Sequence, residues 1–543
     1  MSNDERTRLS AKLSRFDSER AAAQARGWWV QSTLADSLRE AAQQTPERLV
    51  LVDNDVRLNC RELHDQATAL AAAISTRMPV GGVVSFMLPN WHEATIIYLA
   101  ATLAGMVVNP ILPSLRDREL LFILDDAESR MVFIPARFGR HDYASMLDRV
   151  VTQLDRPVEV VVLRGDDADD RHTPFLSLLT QPAGAATLPG LDPDAVRMIL
   201  YTSGTTGRPK GVLHSHNSMH ALICQIGEHW AIEPGDRFLV PSPIAHIGGS
   251  IYAFECPLLL GTTAVLMDRW NADDAVRLMQ TEHCTHIAGA TPFLEQILTA
   301  ARHAGTRLPD LKLFVCGGAS VSPSLIRGAA EYFDRAAVTR VYGLTEVPVA
   351  TIGSPLDAAH AAETDGRAGW AQIRLVSDDP AARDGEVRAR GPQMLVGYLH
   401  PEDEVECFDA KGYFRTGDLG RWVDEEYLLV TGRAKDIIIR NGENISPKEI
   451  EDLLAEHSDV AEVAIVGVPD ERTGERACAV IVPTAGCRPD VTMLREYLAA
   501  RGVAVFKVPE QVDIWDGLPK NDAGKVLKHQ IKAMLKKADD TCR

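Results

Sequence analysis

The stretch "YTSGTTGRPKGVLHSH", Tyr201 to His216, places three glycines and several hydroxyl groups between an apolar run and a helical pattern. The run before it, "AVRMILY", is short, apolar and partly β-branched, which predicts a buried strand. Beyond it, apolar residues from Met219 to Ile226 recur on one helical face, with Ser215 or Asn217 available as the N-cap. We therefore expect this stretch to join a strand to a helix.

The chemistry of this stretch suits phosphate. Glycine lets successive backbone N–H groups turn inward, and Ser203, Thr205 and Thr206 add hydroxyl donors. Arg208 and Lys210 add positive charge. It is not a Walker A loop, because two residues separate the second glycine from the lysine. The alternative is a mobile surface loop that binds nothing.

Composition narrows the class of protein. A chain of 543 residues is long enough for about three structural units. The net charge is −18, with 75 acidic against 57 basic residues, and no long basic run is present, which argues against nucleic acid as a partner. The nine cysteines are scattered, with no C-x-x-C pair, which favours a reducing compartment and no structural zinc.

The sequence predicts a cytoplasmic protein without a transmembrane segment. The first twenty residues are charged throughout and lack the apolar core of a signal peptide. The most apolar stretch, "ATIIYLAATLAGMVVNPIL", contains Thr, Tyr and Gly, and we expect it to form a buried helix followed by a strand. The sequence does not decide whether the protein contacts a membrane surface or forms a homodimer.

The chain predicts an α/β fold with two domains. Apolar strand-like runs alternate with helical patterns in the first half, which is typical of parallel sheets covered by helices. After about Lys435 the pattern changes to that of a small α+β unit. Ser446 to Glu449 reads as a capping box that starts a helix. We therefore predict a large multi-lobed domain, residues 1–434, and a small mobile domain, residues 435–543.

Five motifs in order now resemble the adenylate-forming family, which includes acyl-CoA synthetases, luciferases and peptide-synthetase adenylation domains. "YTSGTTGRPKG" resembles its phosphate loop, and "YGLTE" (342–346) and "RTGD" (415–418) its second and third signatures. "GRAKDIIIRNGENISPKEIE" (432–451) resembles its hinge, and "PKNDAGKV" (519–526) its C-terminal lysine loop. One match would be a weak signal, but five in the right order cover nearly the whole chain.

The resemblance implies an AMP-forming acid–thiol ligase. Such an enzyme joins a carboxylate to ATP, releases pyrophosphate, and passes the acyl group of the acyl adenylate to a thiol. ATP, Mg²⁺ and CoA are the implied small-molecule partners, together with a carboxylic acid. Three alternatives share most motifs: a ligase that loads a carrier protein, a luciferase-like oxygenase, and a non-catalytic nucleotide or acyl-CoA sensor. Intact Lys525, Glu346 and Asp418 argue against the sensor.

The resemblance also assigns roles to residues. Lys525 would bridge the substrate carboxylate and the α-phosphate, Glu346 and Thr205 would hold the metal, and Thr202 would act beside them in catalysis. Asp418 and Arg433 would bind the ribose, and Tyr342 would stack on adenine beside the small residues Gly317, Gly318 and Ala319. The full predicted ATP site comprises Thr202, Ser203, Gly204, Thr205, Thr206, Gly207, Lys210, Gly318, Ala319, Tyr342, Gly343, Thr345, Asp418, Arg433 and Lys525.

Further positions follow from the two-step reaction. The family rotates its small domain between steps, and Lys435 matches its hinge residue. Gly442 would line the pantetheine channel, and Arg440 would meet the phosphates of CoA, although a solvated arginine is an equal alternative. His246, Gly248, Gly249 and Ala290 are the predicted acyl pocket, although a packed structural histidine is an equal alternative for His246. Peptide-synthetase relatives place an Asp at the position of Gly248, so we expect no α-amino acid substrate but an uncharged fatty, alicyclic or aryl acid.

Overall fold

The computed structural model describes residues 17–165, 171–180, 188–203, 208–318, 321–377, 383–440, 443–470, 472–521 and 524–541. Seventeen α-helices cover the sheets of this part of the chain. They are α1 (Asp17–Ala25), α2 (Leu34–Gln44), α3 (Cys60–Ser75), α4 (His92–Leu103), α5 (Asp117–Asp126), α6 (Tyr143–Val151), α7 (Phe175–Thr180), α8 (His216–His229), α9 (Ile247–Ser250), α10 (Cys256–Leu259), α11 (Ala272–Thr281), α12 (Thr291–His303), α13 (Pro323–Tyr332), α14 (Ala358–Glu363), α15 (Pro447–Leu454), α16 (Val491–Ala500) and α17 (Lys528–Thr541).

The strands form four main sheets and one small ribbon. They are β1 (Leu49–Asp53), β2 (Val56–Asn59), β3 (Val83–Phe86), β4 (Val107–Pro110), β5 (Ser129–Pro135), β6 (Arg137–Phe138), β7 (His141–Asp142), β8 (Glu159–Leu163), β9 (Thr173–Pro174), β10 (Val196–Ser203), β11 (Pro209–Ser215), β12 (Arg237–Val240), β13 (Thr263–Leu266), β14 (His286–Gly289), β15 (Leu313–Cys316), β16 (Ala337–Arg340), β17 (Gln372–Val376), β18 (Gly385–Arg390), β19 (Gly397–Tyr398), β20 (Phe414–Val423), β21 (Tyr427–Arg433), β22 (Ile438–Arg440), β23 (Glu443–Ile445), β24 (Val460–Asp470), β25 (Gly474–Pro483) and β26 (Gln511–Ile514).

Two large, mostly parallel sheets make up the first part of the chain. One has the order β16-β15-β14-β12-β13-β1-β2, and only β2 runs antiparallel to its neighbour. The other has the order β19-β11-β10-β4-β3-β5-β8-β9, with antiparallel pairs at β19, β11 and β10. A shared core of buried apolar side chains lies between them. The predicted α/β class with parallel-rich sheets is confirmed.

Two smaller sheets follow. Strands β17, β18, β20 and β21 form an antiparallel sheet, and β23, β22, β25 and β24 form another, to which β26 adds in parallel. Helices α15, α16 and α17 pack on this last sheet through separate apolar clusters on its two faces. The C-terminal α+β unit is therefore built around a core of its own, as its alternating pattern predicts.

The most apolar stretch folds as predicted. Helix α4 is buried along its length from Glu93 to Leu103 and is followed by strand β4. In the described part of the chain, no helix is both long and apolar enough to cross a bilayer.

Two local predictions are wrong. The phosphate-type stretch joins two antiparallel strands, β10 and β11, and helix α8 begins only at His216, with Ser215 as its N-cap. Burial of Val212 and Leu213 favours a strand where Gly and Pro suggest a loop. Helix α15 does begin at Pro447, but the capping box is not formed, because the Ser446 hydroxyl donates to the carbonyl of Thr431 instead.

Candidate active site

The phosphate-type stretch is a hairpin whose base is well ordered by pairing. Thr202 lies opposite Lys210 in the β10–β11 ladder, and both are partly buried. The ammonium of Lys210 lies 5.3 Å from the centre of the Tyr398 ring. The predicted residues Gly204, Thr205, Thr206 and Gly207 lie outside the described residues, as does the side chain of Ser203.

Glu346 lies beside this hairpin. The Tyr398 hydroxyl donates to its carboxylate at 2.9 Å, and burial raises the pKa of that carboxyl group. The neighbouring carbonyl of Thr345 contacts Nε2 of buried His214 at 2.8 Å. Burial lowers the pKa of His214 to about 4, so the ring is neutral and its Nε2–H donates to Thr345. These bonds tie the "YGLTE" segment to strands β19 and β11, which carry Tyr398 and His214.

Asp418, Arg433 and Tyr342 form a second group. Asp418 and Arg433 are paired across β20 and β21, and the Arg433 Nε donates to the Asp418 carboxylate at 2.8 Å. The Tyr342 hydroxyl donates to the other oxygen at 2.7 Å. Asp418 is 4% exposed, and burial raises the pKa of Tyr342 well above its usual value. The carboxylate is thus held in one orientation, with its remaining lone pairs available to hydroxyl donors.

Small residues lie next to this group. Gly317 and Gly318 follow the end of β15, and Gly318 has a φ of +81°; Ala319 lies outside the described residues. Gly343 is required by close packing, because a Cβ there would lie 2.5 Å from the backbone nitrogen of Val349. A Cβ on Gly318, by contrast, would have nothing within 4 Å, and the adenine-binding role of these residues stays a prediction.

The loop that carries Lys525 is a tight hairpin. Lys520 and Val526 form an antiparallel bridge, and Asn521 holds the turn. The Asn521 side-chain oxygen accepts from the backbone N–H of Lys525 at 2.8 Å, and the backbone N–H of Asn521 donates to the Lys525 carbonyl at 2.9 Å. A Cβ on Gly524 would lie 3.4 Å from Pro292, so the loop lies against the large domain.

Lys525 is close to the Asp418 group. Lys525 is exposed as a whole residue, yet partial removal of its ammonium from solvent, and then the nearby Arg433 guanidinium, lower its pKa to about 8. Asp418 acts in the opposite direction. The structure thus brings together three predicted residues, Lys525, Asp418 and Arg433, that are up to 107 positions apart in the chain.

A cavity of about 850 Å³ lies between the large domain and this loop. Its wall includes Ala290 from the predicted acyl pocket, and Lys520, Asn521 and Gly524 from the loop. Basic and aromatic side chains also line it: Arg116, Arg140, His141, Trp270 and Phe293. The cavity is therefore suited to a ligand with both apolar and anionic parts.

The other predicted pocket residues lie elsewhere. His246 precedes α9, Gly248 faces open space, and Gly249 is buried against backbone carbonyls. A Cβ on Gly249 would lie 2.3 Å from the Pro243 oxygen, so packing alone requires glycine there. These three residues do not line the large cavity. Their role in an acyl pocket stays a prediction.

The residues predicted for CoA and the hinge are less constrained. Arg440 is paired with Glu510 through two hydrogen bonds of 2.7 and 2.8 Å, and Gly442 lies outside the described residues. Lys435 is exposed on a short 3-10 helix between β21 and β22. This helix is the covalent link between the antiparallel sheet and the C-terminal sheet.

The carboxylate oxygens of Glu346 are suitable ligands for magnesium. Magnesium prefers oxygen ligands, and one Glu346 oxygen carries the Tyr398 hydrogen bond while the carboxylate keeps further lone pairs. A divalent cation would also favour the ionised form of a carboxyl group whose pKa is raised by burial. Thr205, the second predicted ligand, lies outside the described residues.

Sequence reasoning missed three residues of this site. Tyr398, His214 and Asn521 orient Glu346, Thr345 and Lys525 through the hydrogen bonds described above. Asn521 had a detectable signal, because Asn favours tight turns and lies four residues before the lysine. Tyr398 and His214 had none, because their partners are more than 50 positions away.

Comparison with known proteins identifies the relatives of this chain. The AMP-binding enzyme family matches residues 38–399, and the AMP-binding enzyme C-terminal domain matches residues 449–525. The medium-chain fatty-acid–CoA ligase of Escherichia coli K12 is 31% identical over 98% of this chain and 96% of its own. The 3-[(3aS,4S,7aS)-7a-methyl-1,5-dioxo-octahydro-1H-inden-4-yl]propanoyl:CoA ligase of Rhodococcus jostii RHA1 is 32% identical over 92% and 98%. The ATP-bound structure of MatB from Rhodopseudomonas palustris superposes with a TM-score of 0.81 at 27% identity, covering 92% of this chain and 99% of its own.

Proposed function

This chain belongs to the AMP-binding enzyme family, and we propose that it joins an uncharged carboxylic acid to CoA in two ATP-dependent half-reactions. It is an acyl-CoA synthetase. In the first half-reaction the carboxylate oxygen attacks the α-phosphorus of ATP and pyrophosphate leaves. In the second, the CoA sulfur attacks the acyl carbon and AMP leaves. The observation that carries the proposal is the convergence of Lys525 with Asp418 and Arg433.

The first half-reaction needs cations because it brings an anion to a polyanion. Two unit charges about 4 Å apart repel by about 4 kcal/mol at an effective dielectric of about 20. Lys525 supplies a positive charge between the carboxylate and the α-phosphate, and Lys210 supplies one at the departing phosphates. Asp418 accepts hydrogen bonds from the ribose hydroxyls. Magnesium held by Glu346 would neutralise charge on the phosphate oxygens.

The second half-reaction needs a path for the thiol. We place CoA along the large-domain wall of this cavity, from which the lysine loop withdraws in the second half-reaction, with the anionic nucleotide part of CoA near exposed Arg140. The apolar wall at Phe293 and Trp270 suits the uncharged pantetheine arm. Arg116 has a different task, because its guanidinium donates to the carbonyls of Pro113, Ser114 and Leu115.

The acid is proposed to have an uncharged tail. Gly248 presents no carboxylate to open space, so a substrate ammonium there would lack a counter-charge. Two relatives are named for acids with uncharged tails, a medium-chain fatty acid and an indane-type propanoate, whereas a third, 30% identical, is named for sulfoacetate. We therefore propose fatty, alicyclic or aryl acids as the substrate class.

A panel experiment tests this function. Purified protein is given ATP, magnesium, CoA and pooled fatty, alicyclic and aryl acids, and pyrophosphate and thioester masses are read together. Thioesters with pyrophosphate support the proposal and name the acid class. Pyrophosphate without thioester would mean that a carrier protein or another acceptor takes the place of CoA. The absence of both pyrophosphate and thioester would overturn the proposal.

The CoA position has its own test with a matched control. Arg140→Gln should raise the KM for CoA about threefold to tenfold while pyrophosphate release stays unchanged. Arg137→Gln removes a nearby exposed arginine that pairs with Asp142, and should leave both values unchanged. Gly442→Leu should likewise slow thiol transfer and spare adenylation. An equal effect of the two arginine variants would contradict the placement of CoA.

A further inference from the structure

Asp403 is a buried carboxylate that contacts both cations of the phosphate hairpin. It lies on a short 3-10 helix, Pro401–Glu404, which follows β19, the edge partner of β11. Its Oδ1 accepts from the Arg208 guanidinium at 2.9 Å and lies 3.7 Å from the Lys210 ammonium. Asp403 is 6% exposed.

The bonding of Asp403 is incomplete. Within the part of the chain that the structure describes, its Oδ2 is buried and has no hydrogen-bond partner. Lys210 reaches Asp403 only weakly, at 3.4 Å from its backbone oxygen and 3.7 Å from its carboxylate. A buried carboxylate kept only for stability would normally satisfy both oxygens, because an unsatisfied buried acceptor is costly. Asp403 therefore bonds firmly to Arg208, at 2.9 Å, but holds Lys210 loosely and leaves one carboxylate oxygen unbonded within the described residues.

The contact between Asp403 and Lys210 lies close to groups with proposed roles in catalysis. Lys210 lies between Asp403 and the Tyr398 ring, and the Tyr398 hydroxyl donates to Glu346. Lys210, one of the two cations that contact Asp403, is thus beside the carboxylate proposed to hold the metal. Terminal phosphates bound there would meet Arg208 and Lys210 in direct competition with Asp403.

We propose that Asp403 is an internal competitor for pyrophosphate. It pairs with Arg208 and Lys210 when phosphates are absent, yields them to ATP, and takes them back as pyrophosphate leaves. With Asp403 the three side chains carry a net charge of +1, and without it +2. Asp403 therefore weakens binding of ATP and pyrophosphate and speeds product release. This role rests on the proposed function, and Asp403 acts as a positioning residue through the two cations.

Calorimetric titration of pyrophosphate with magnesium tests the role without relying on turnover. Asp403→Asn should bind pyrophosphate about threefold to tenfold more tightly than the unmodified protein, since a neutral amide no longer competes. Pyrophosphate should also become a correspondingly stronger product inhibitor, while the KM for CoA stays unchanged. Glu402→Gln is the matched control, because it removes one negative charge from the same short helix at a side chain that is 67% exposed.

A double variant separates competition from a structural effect. In the background of Arg208→Gln, adding Asp403→Asn should tighten pyrophosphate binding by less than it does alone, because one of the two competed cations is gone. If Asp403→Asn is poorly folded by thermal unfolding, Asp403→Ser provides a second neutral side chain with the same expected shift.

Failure of the Asp403 role and failure of the proposed ligase function give different binding results. If the unmodified protein binds neither ATP nor pyrophosphate, the proposed function fails. If it binds both, but Asp403→Asn leaves pyrophosphate affinity unchanged or weakens it, the competitor role alone is overturned. An equal gain in Glu402→Gln would also overturn it, since the effect would then come from general charge.

Discussion

The nucleotide side of the candidate site and its lysine side are built differently. Asp418 and Tyr342 are buried and fixed by hydrogen bonds of 2.7 and 2.8 Å within the large domain. Lys525 is on an exposed hairpin of the C-terminal unit, and its turn depends mainly on Asn521. The groups proposed to bind ATP are thus preorganised, whereas Lys525, the group proposed to act in acyl-adenylate formation, belongs to a unit with its own core. This difference suits a reaction whose second half-reaction needs the lysine withdrawn.

Removal of the lysine charge should have the largest effect. We expect Lys525→Ala to lower the rate of acyl-adenylate formation by about 10²-fold to 10³-fold, because the cation proposed to lie at the reacting groups is lost. Thioester formation from supplied acyl adenylate should change little. Rapid-quench measurement of each half-reaction checks this. Equal losses in both half-reactions would contradict the proposal that Lys525 acts in adenylation alone.

The pH dependence of adenylation should report the same lysine. Because the pKa of Lys525 is lowered to about 8, its charged form is present below that pH and is lost above it. The value of kcat/KM for ATP should therefore fall about tenfold from about pH 7 to about pH 9. Lys525→Arg, which stays charged, should flatten this decline whatever its absolute rate. An unchanged profile in that variant would assign the decline to another group.

Loosening the lysine hairpin should have a smaller effect. Asn521→Ala removes the side-chain acceptor of the Lys525 N–H, and we expect adenylation to slow about fivefold to twentyfold through poorer positioning. The affinity for ATP should remain close to normal, because Asp418 is untouched. Lys520→Gln, on the same hairpin and paired with Glu462, is the control and should have little effect. Loss of ATP affinity in Asn521→Ala would contradict the proposal that ATP binding is independent of the lysine hairpin.

The smallest effect is expected on the preorganised side. Tyr342→Phe removes one hydrogen bond to Asp418 but keeps the ring, so the Kd for ATP should rise about threefold to tenfold with kcat nearly unchanged. Equilibrium titration with ATP and magnesium measures it. A fall in kcat at constant Kd would instead give Tyr342 a role in transfer.

The order of the sequence motifs predicts much of this arrangement but not its internal contacts. Strand β10, helix α4 and the C-terminal α+β unit follow from apolar periodicity, which local sequence carries. Strand β11 is missed because its Gly and Pro residues suggest a loop, while pairing with β10 and burial decide otherwise.

Long-range partners explain the remaining differences. Glu449 does not complete a capping box because Lys507, 58 positions away, forms a salt bridge with it, and Ser446 bonds to Thr431. Tyr398 and Asp403 reach the phosphate hairpin only because β19 pairs with β11. Such contacts depend on the folded topology, so no local sequence pattern predicts them.

In the proposed reaction, an acyl adenylate forms before any thiol is used. Acid-dependent exchange of labelled pyrophosphate into ATP, measured without CoA on the unmodified protein, tests it most directly. We expect exchange that requires both magnesium and an acid identified by the panel. Exchange that is absent with such an acid, or that appears only when CoA is added, would contradict it.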